Sequence, residues 1–91
     1  MSSMALKVKF RGHVQGVSFR FYAKRFADAN DVKGWVRNLS DGTVEALFEG
    51  EEGPVRRVVE QCRTGNPYAG VTQVDAVEVD YTGRYQSFII R

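Results

Sequence analysis

The chain has little of what usually staples a small domain or arms a metal site. Cys62 is its only cysteine, so no internal disulfide can form. A domain of 91 residues without disulfides fits a reducing compartment. His13 is its only histidine. One imidazole and one thiol fall short of a transition-metal ligand set, so neither metal nor cofactor is expected. No stretch approaches the roughly 18 apolar residues of a membrane span, and Met1–Leu6 holds no apolar run of signal-peptide length. Charge of one sign is also scarce. Thirteen Lys and Arg against 11 Asp and Glu leave a net +2, without a basic block of the kind found in nucleic-acid tails. That slight excess suits a small anion. The expectation is a cytoplasmic monomer with neither membrane nor nucleic acid as partner.

What is present is enough apolar material for one core. The sequence is 43% hydrophobic, with six Phe, four Tyr and one Trp. Its length leaves no room for a second core. Residues 1–5 read as a loose tail and residues 6–91 as a single domain. Leu6, Val8 and Phe10 alternate with charged residues, the pattern of a half-buried strand. Gly12–Ser18, with two glycines, reads as a loop. From Phe19 the period becomes helical: Phe19, Tyr22, Ala23, Phe26 and Ala27 form one stripe, with Ser18 as N-cap and Asn30-Asp31 as the end. Val32–Leu39 and Thr43–Glu49 read as strands joined by Ser40-Asp41-Gly42, a hairpin signal.

Pro54 and the acidic pair Glu51-Glu52 suit the start of a second helix, whose stripe is Val55, Val58, Val59 and Cys62. Thr64–Pro67 ends it. Tyr68–Thr72 reads as a loop and Gln73–Tyr81 as a strand with Val77, Val79 and Tyr81 on one face. Gln86–Arg91 reads as a short closing strand using Phe88 and Ile90. The order is βαββαβ plus that strand. Two singly striped helices must cover one face of an antiparallel sheet, which defines an α+β, ferredoxin-like α/β sandwich. That fold hosts many unrelated activities.

Chemistry has two candidate locations. A glycine-bearing loop running into a helix start offers main-chain N–H groups and a positive dipole end, the ingredients of an anion cradle. Arg20 in the first helical turn would clamp a phosphoryl group there. The plainer alternative is a strand-to-helix turn followed by a surface arginine. Asn38 closes the second strand on the face of Val32, Gly34 and Val36. From spacing alone it serves the turn, as asparagine commonly does.

The run Gly12-His13-Val14-Gln15-Gly16-Val17-Ser18-Phe19-Arg20, followed by Gly34-Trp35-Val36-Arg37-Asn38 and Asp41-Gly42-Thr43-Val44-Glu45, resembles the acylphosphatase family. The likeness spans nearly the whole chain. It implies hydrolysis of the carboxyl-phosphate bond of an acyl phosphate without metal, giving carboxylate and inorganic phosphate. It assigns phosphate binding to Arg20, orientation of the attacking water to Asn38, and the phosphate oxygens to the main-chain amides of Gln15, Gly16, Val17, Ser18 and Phe19.

The other reactive residues fit the bland reading better. His13 would be an exposed loop residue, and Cys62 a small buried hydrophobe on its helix stripe. Lys7, Lys9 and Arg11 would be the solvated face of the first strand, and Asp75, Glu78 and Asp80 solvent-facing charges. The alternative function is a non-catalytic ferredoxin-like module binding phosphate or RNA. It is disfavoured because Phe10, Phe48 and Phe88 are needed in the core and not for base stacking. A third reading, a regulatory domain accompanying a larger enzyme, has less support, because the sequence shows no linker.

Overall fold

A computed structural model describes residues 2–91. The elements are β1 (Ser3–His13), α1 (Phe19–Ala29), β2 (Lys33–Asn38), β3 (Val44–Glu51), α2 (Glu52–Thr64), β4 (Gly70–Val79) and β5 (Phe88–Ile90). The sheet order is β4-β1-β3-β2-β5. The four long strands pair antiparallel, as the alternation implies. The closing strand β5 lies parallel to β2, so the sheet is mixed and not wholly antiparallel. Parallel neighbours need a long connection, and between β2 and β5 the chain runs through β3, α2 and β4.

Register decides which residues reach the helices. Leu6 faces Phe48, which faces Gly34, which faces Phe88; Val8, Ala46, Val36 and Ile90 make the next row, and Phe10, Val44 and Asn38 the third. Against these rows pack Phe19, Ala23 and Ala27 of α1 and Val55, Val58 and Cys62 of α2. Phe48 and Phe88 stack with ring centroids 5.4 Å apart, and Phe10 meets Phe19 at 5.0 Å. Each fully buried Phe contributes about 1.5–3 kcal/mol of burial. These four rings therefore join β5 and α1 to the centre of the sheet.

The structure corrects several boundaries. Ser3, Met4 and Ala5 are not a tail but the start of β1, paired with Glu51, Gly50 and Glu49 of β3. Met4 continues the alternation of Leu6 and Val8, and both Met4 and Ala5 are buried. Gly12 and His13 belong to β1 as well. The register against β4 slips between Arg11 and Gly12, a β-bulge. Gly12 has φ +118°, and a Cβ there would lie 2.2 Å from the Gly70 oxygen, so the bulge requires glycine. β4 accordingly begins at Gly70, inside the stretch expected to be loop, because it continues that pairing.

The face that Val77 and Val79 share is the uncovered one. Val77 and Val79 pair with Lys7 and Ala5 and so face away from the helices; Val77, Val79 and Tyr81 are all exposed. Val74, opposite Phe10, packs on the core instead. An edge strand carries valines in both phases, and only its register with β1 tells which phase is covered.

No helix is long and apolar enough to cross a membrane among the described residues.

Candidate active site

Between β1 and α1 the chain runs through Val14–Ser18. Gly16 (φ +76°) and Ser18 (φ +59°) both adopt left-handed conformations. For serine this conformation costs on the order of 1 kcal/mol or more. Left-handed residues within such a loop turn successive N–H groups toward one point, forming a nest for an anion. Ser18 does occupy the N-cap position, but its hydroxyl makes no capping bond. A capping serine usually has extended backbone, and here the left-handed turn takes precedence.

A cavity of about 230 Å³ opens at this end of α1. Gly16, Ser18, Phe19, Arg20 and Asn38 border it, so five of the seven expected site residues meet there. Its other walls are Val14, Phe21 and Ile90. Among the described residues, Arg20 is the only charged one in the lining.

Gln15 and Val17 do not border the cavity. The Gln15 amide donates to the Leu39 and Thr43 carbonyls at 2.8 and 2.9 Å, tying the loop to the β2–β3 hairpin. The Val17 carbonyl accepts from Asn66 Nδ2 at 3.0 Å, which anchors the other side of the loop to the end of α2. These two residues hold the loop in shape. Sequence reasoning missed the side-chain roles of Gln15 and Asn66, since neither has its partner near in sequence.

Arg20 Nη1 donates to the Arg91 main-chain oxygen at 2.9 Å. Arg91 is itself fixed. Its N–H donates to the Val36 carbonyl at 2.8 Å, and its guanidinium lies 4.9 Å from the Trp35 ring centroid. The parallel placement of β5 beside β2 makes this contact possible. One nitrogen of Arg20 is thereby anchored, and the rest of the guanidinium fork is available for a bidentate contact.

Asn38 ends β2 in the row of Phe10 and Val44. The turn reading of its side chain meets a difficulty, because other groups close that turn. Leu39 N–H donates to the Thr43 carbonyl at 2.9 Å and Gly42 N–H to the Leu39 carbonyl at 3.3 Å. The Asp41 carboxylate accepts from Thr43 N–H at 3.0 Å and also from the Thr43 hydroxyl. These two bonds, the hydroxyl's first, hold the Asp41 carboxyl below the usual range. Asn38 itself is exposed and borders the cavity.

Cys62 is buried, and burial pushes its thiol up to about 12, far from the reactive thiolate range. His13 is the last residue of β1, exposed and outside the cavity lining. No three His, Cys, Asp or Glu side chains come together among the described residues.

Known proteins share this fold of two helices on a mixed five-stranded sheet. The family model described as Acylphosphatase matches residues 6–90. An acylphosphatase of Syntrophobacter fumaroxidans is 44% identical over 90 residues, covering 99% of this chain and 93% of the relative. One from Pyrobaculum arsenaticum is 49% identical over 81 residues, covering 88% and 85%. The crystal structure of acylphosphatase from Bacillus subtilis superposes with a TM-score of 0.92 at 34% identity, covering 97% of this chain and 98% of that one. The chain belongs to the acylphosphatase family.

Proposed function

We propose that this acylphosphatase hydrolyses acyl phosphates in the cavity at the start of α1, with Arg20 and the loop amides of residues 15–19 holding the phosphoryl group and Asn38 orienting the water. One observation supports this most: Arg20 and Asn38, 18 positions apart in sequence and on different elements, border the same small cavity with the left-handed loop.

The reaction asks little more of the protein. Water forms a bond to phosphorus on the side opposite the acyl oxygen. The P–O bond to the acyl group breaks, and its electron pair leaves as carboxylate. Carboxylic acids ionise at a pKa of about 4, so this group departs without a general acid. The water's proton passes to a phosphoryl oxygen, since an amide is too weak a base to take it. Charge on the phosphoryl oxygens is met by the guanidinium and the amides. Asn38 contributes by fixing the water in line. No step in this route calls for a metal ion. The enzyme is read as a cytoplasmic monomer acting on a small molecule. The open sheet face does not favour nucleic acid: Trp35 is only 7% exposed and has Arg37 and Arg91 over its ring.

The test is phosphate release from benzoyl phosphate with a metal chelator present. Undiminished turnover is expected. Activity restored only by a divalent ion would overturn the metal-free route, and a folded protein that releases no phosphate under any condition would overturn the whole reading.

A further inference from the structure

Phe21 and Ile90 are two large apolar side chains left in the open at one place. Phe21 is the third residue of α1, off the stripe that α1 buries through Phe19, Ala23 and Ala27. It is 54% exposed, and Ile90 is 43% exposed. Single exposed hydrophobes are common and decide nothing alone. Val77, 62% exposed on the far side of the sheet, is such a case. Phe21 and Ile90 differ from it because both line the cavity that holds Arg20 and Asn38. Both are also held in place. The Phe21 ring has the Arg25 guanidinium 5.8 Å from its centroid and Tyr22 edge-on at 5.9 Å, and Ile90 is paired with Val36 in the sheet. An apolar wall already ordered before binding contributes affinity at little entropic cost.

Resting on the reading of this cavity as the acyl phosphate site, we infer that Phe21 and Ile90 seat the acyl half of the substrate and select a compact apolar or aromatic acyl group. The phosphoryl half is addressed by the loop and Arg20, so the remaining wall must meet what phosphorus is bonded to. That wall offers a Phe ring and an Ile side chain and no charge of its own. The cavity, at about 230 Å³, lies below the roughly 300–1,000 Å³ of drug-sized ligand sites, which argues for a compact acyl group.

The experiment compares kcat/KM for benzoyl phosphate and acetyl phosphate in the wild type, Phe21→Ala, Phe21→Leu, Ile90→Ala and the distant control Val77→Ala. The quantity read is the benzoyl-to-acetyl ratio of each variant relative to wild type, which cancels the substrates' different intrinsic reactivities. A fall of about tenfold is expected for Phe21→Ala and a similar one for Ile90→Ala, the scale of losing one apolar pocket contact. Phe21→Leu should recover most of the ratio, and Val77→Ala should leave it alone. Inhibition by inorganic phosphate, which has no acyl half, should shift by less than about twofold in Phe21→Ala. Should Ile90→Ala fail to fold, Phe21→Ala decides, since Phe21 lies outside the core. An unchanged ratio in Phe21→Ala, with benzoyl phosphate still hydrolysed, overturns this inference and spares the proposed function. Absence of turnover on both substrates in the folded wild type overturns both.

Discussion

The two ends of β2 carry two cavities, and the proposed site is the smaller of them. At the Lys33 end a cavity of about 300 Å³ is lined by Asp31, Lys33, Glu49, Glu51 and Tyr81 among others. At the Asn38 end the cavity is about 230 Å³. Size therefore points the wrong way. The ends differ in whether their charges are already committed. Glu49 is buried, yet its carboxylate accepts from Thr82 N–H at 2.9 Å, from the Thr82 hydroxyl at 3.0 Å and from Gly83 N–H at 3.2 Å. Lys33 is spent on Asp31 at 2.8 Å. These bonds close the β4–β5 connection over the open sheet face. At the other end Arg20 gives one nitrogen to a main-chain oxygen and keeps the rest of its fork. The sign differs too, because three carboxylates line the first cavity and none lines the second. The charged side chains lining the first cavity are thus net negative and those lining the second net positive.

The sharpest way to break this contrast is to remove the positive charge at the Asn38 end. Arg20→Ala should lower kcat/KM by about a thousandfold or more and weaken inhibition by inorganic phosphate. Its unfolding midpoint should hold, since the bond it loses is solvent-exposed. The matching change at the other end, Lys33→Ala, should alter turnover by less than about twofold. Equal losses from both variants would erase the distinction between the two cavities.

Asn38→Ala comes next. Losing a water-positioning amide should cut kcat by about a hundredfold to a thousandfold, with phosphate affinity nearly unchanged because Arg20 and the loop amides remain. The turn should survive, as Asp41 and Gln15 close it. A less stable variant that turns over normally when folded would return Asn38 to the turn.

Glu49→Ala should invert the pattern. Removing a buried carboxylate leaves Thr82 and Gly83 donors without a partner, at a cost of about 2–3 kcal/mol. Denaturant unfolding should report that loss, while the protein that remains folded keeps near-normal kcat. A folded Glu49→Ala variant without activity would mean that the far end takes part in the chemistry.

Much of the fold was legible because period carries it. The stripes of Phe19–Ala27 and Val55–Cys62 and the alternation of Leu6, Val8 and Phe10 each reflect a face that must be covered. Phase is not legible where a strand is apolar on both faces, as β4 is. Its valines at 74 and 77 differ only in their partners across β1, Phe10 and Lys7. The start of β1 was missed because Ser2-Ser3 reads as tail, although Met4 extends the alternation. At the site, Arg20 and Asn38 were visible through a family resemblance and only weakly through spacing. The groups that hold them were not visible. Gln15 reaches carbonyls 24 and 28 positions away and Arg20 an oxygen 71 positions away, and such contacts exist only once the sheet is assembled.

The smallest expected effect concerns Asp41, whose turn ties the hairpin to the cradle. Thr43 donates to Asp41 from its hydroxyl and its N–H, and the Thr43 carbonyl accepts from Gln15. Those donors favour the ionised carboxylate, so the folded state holds Asp41 below its ordinary value of 3.8. For a carboxyl lowered on folding, the stabilisation is complete above the unfolded value and is lost as pH falls through the folded one. Asp41→Asn keeps an acceptor oxygen but removes the charge. The variant should therefore unfold at a slightly lower temperature than wild type at neutral pH. That gap should narrow on acidifying below about 3.8, where the carboxyl of the unfolded chain takes up its proton ahead of the folded one. Because Asp41 is fully exposed, the gap will be small, and solvent screens most of it. Paired thermal unfolding from pH 7 down to pH 2.5 reads it directly. A gap that stays constant over this range would mean that the carboxylate's charge contributes nothing and that the acceptor geometry alone holds the turn.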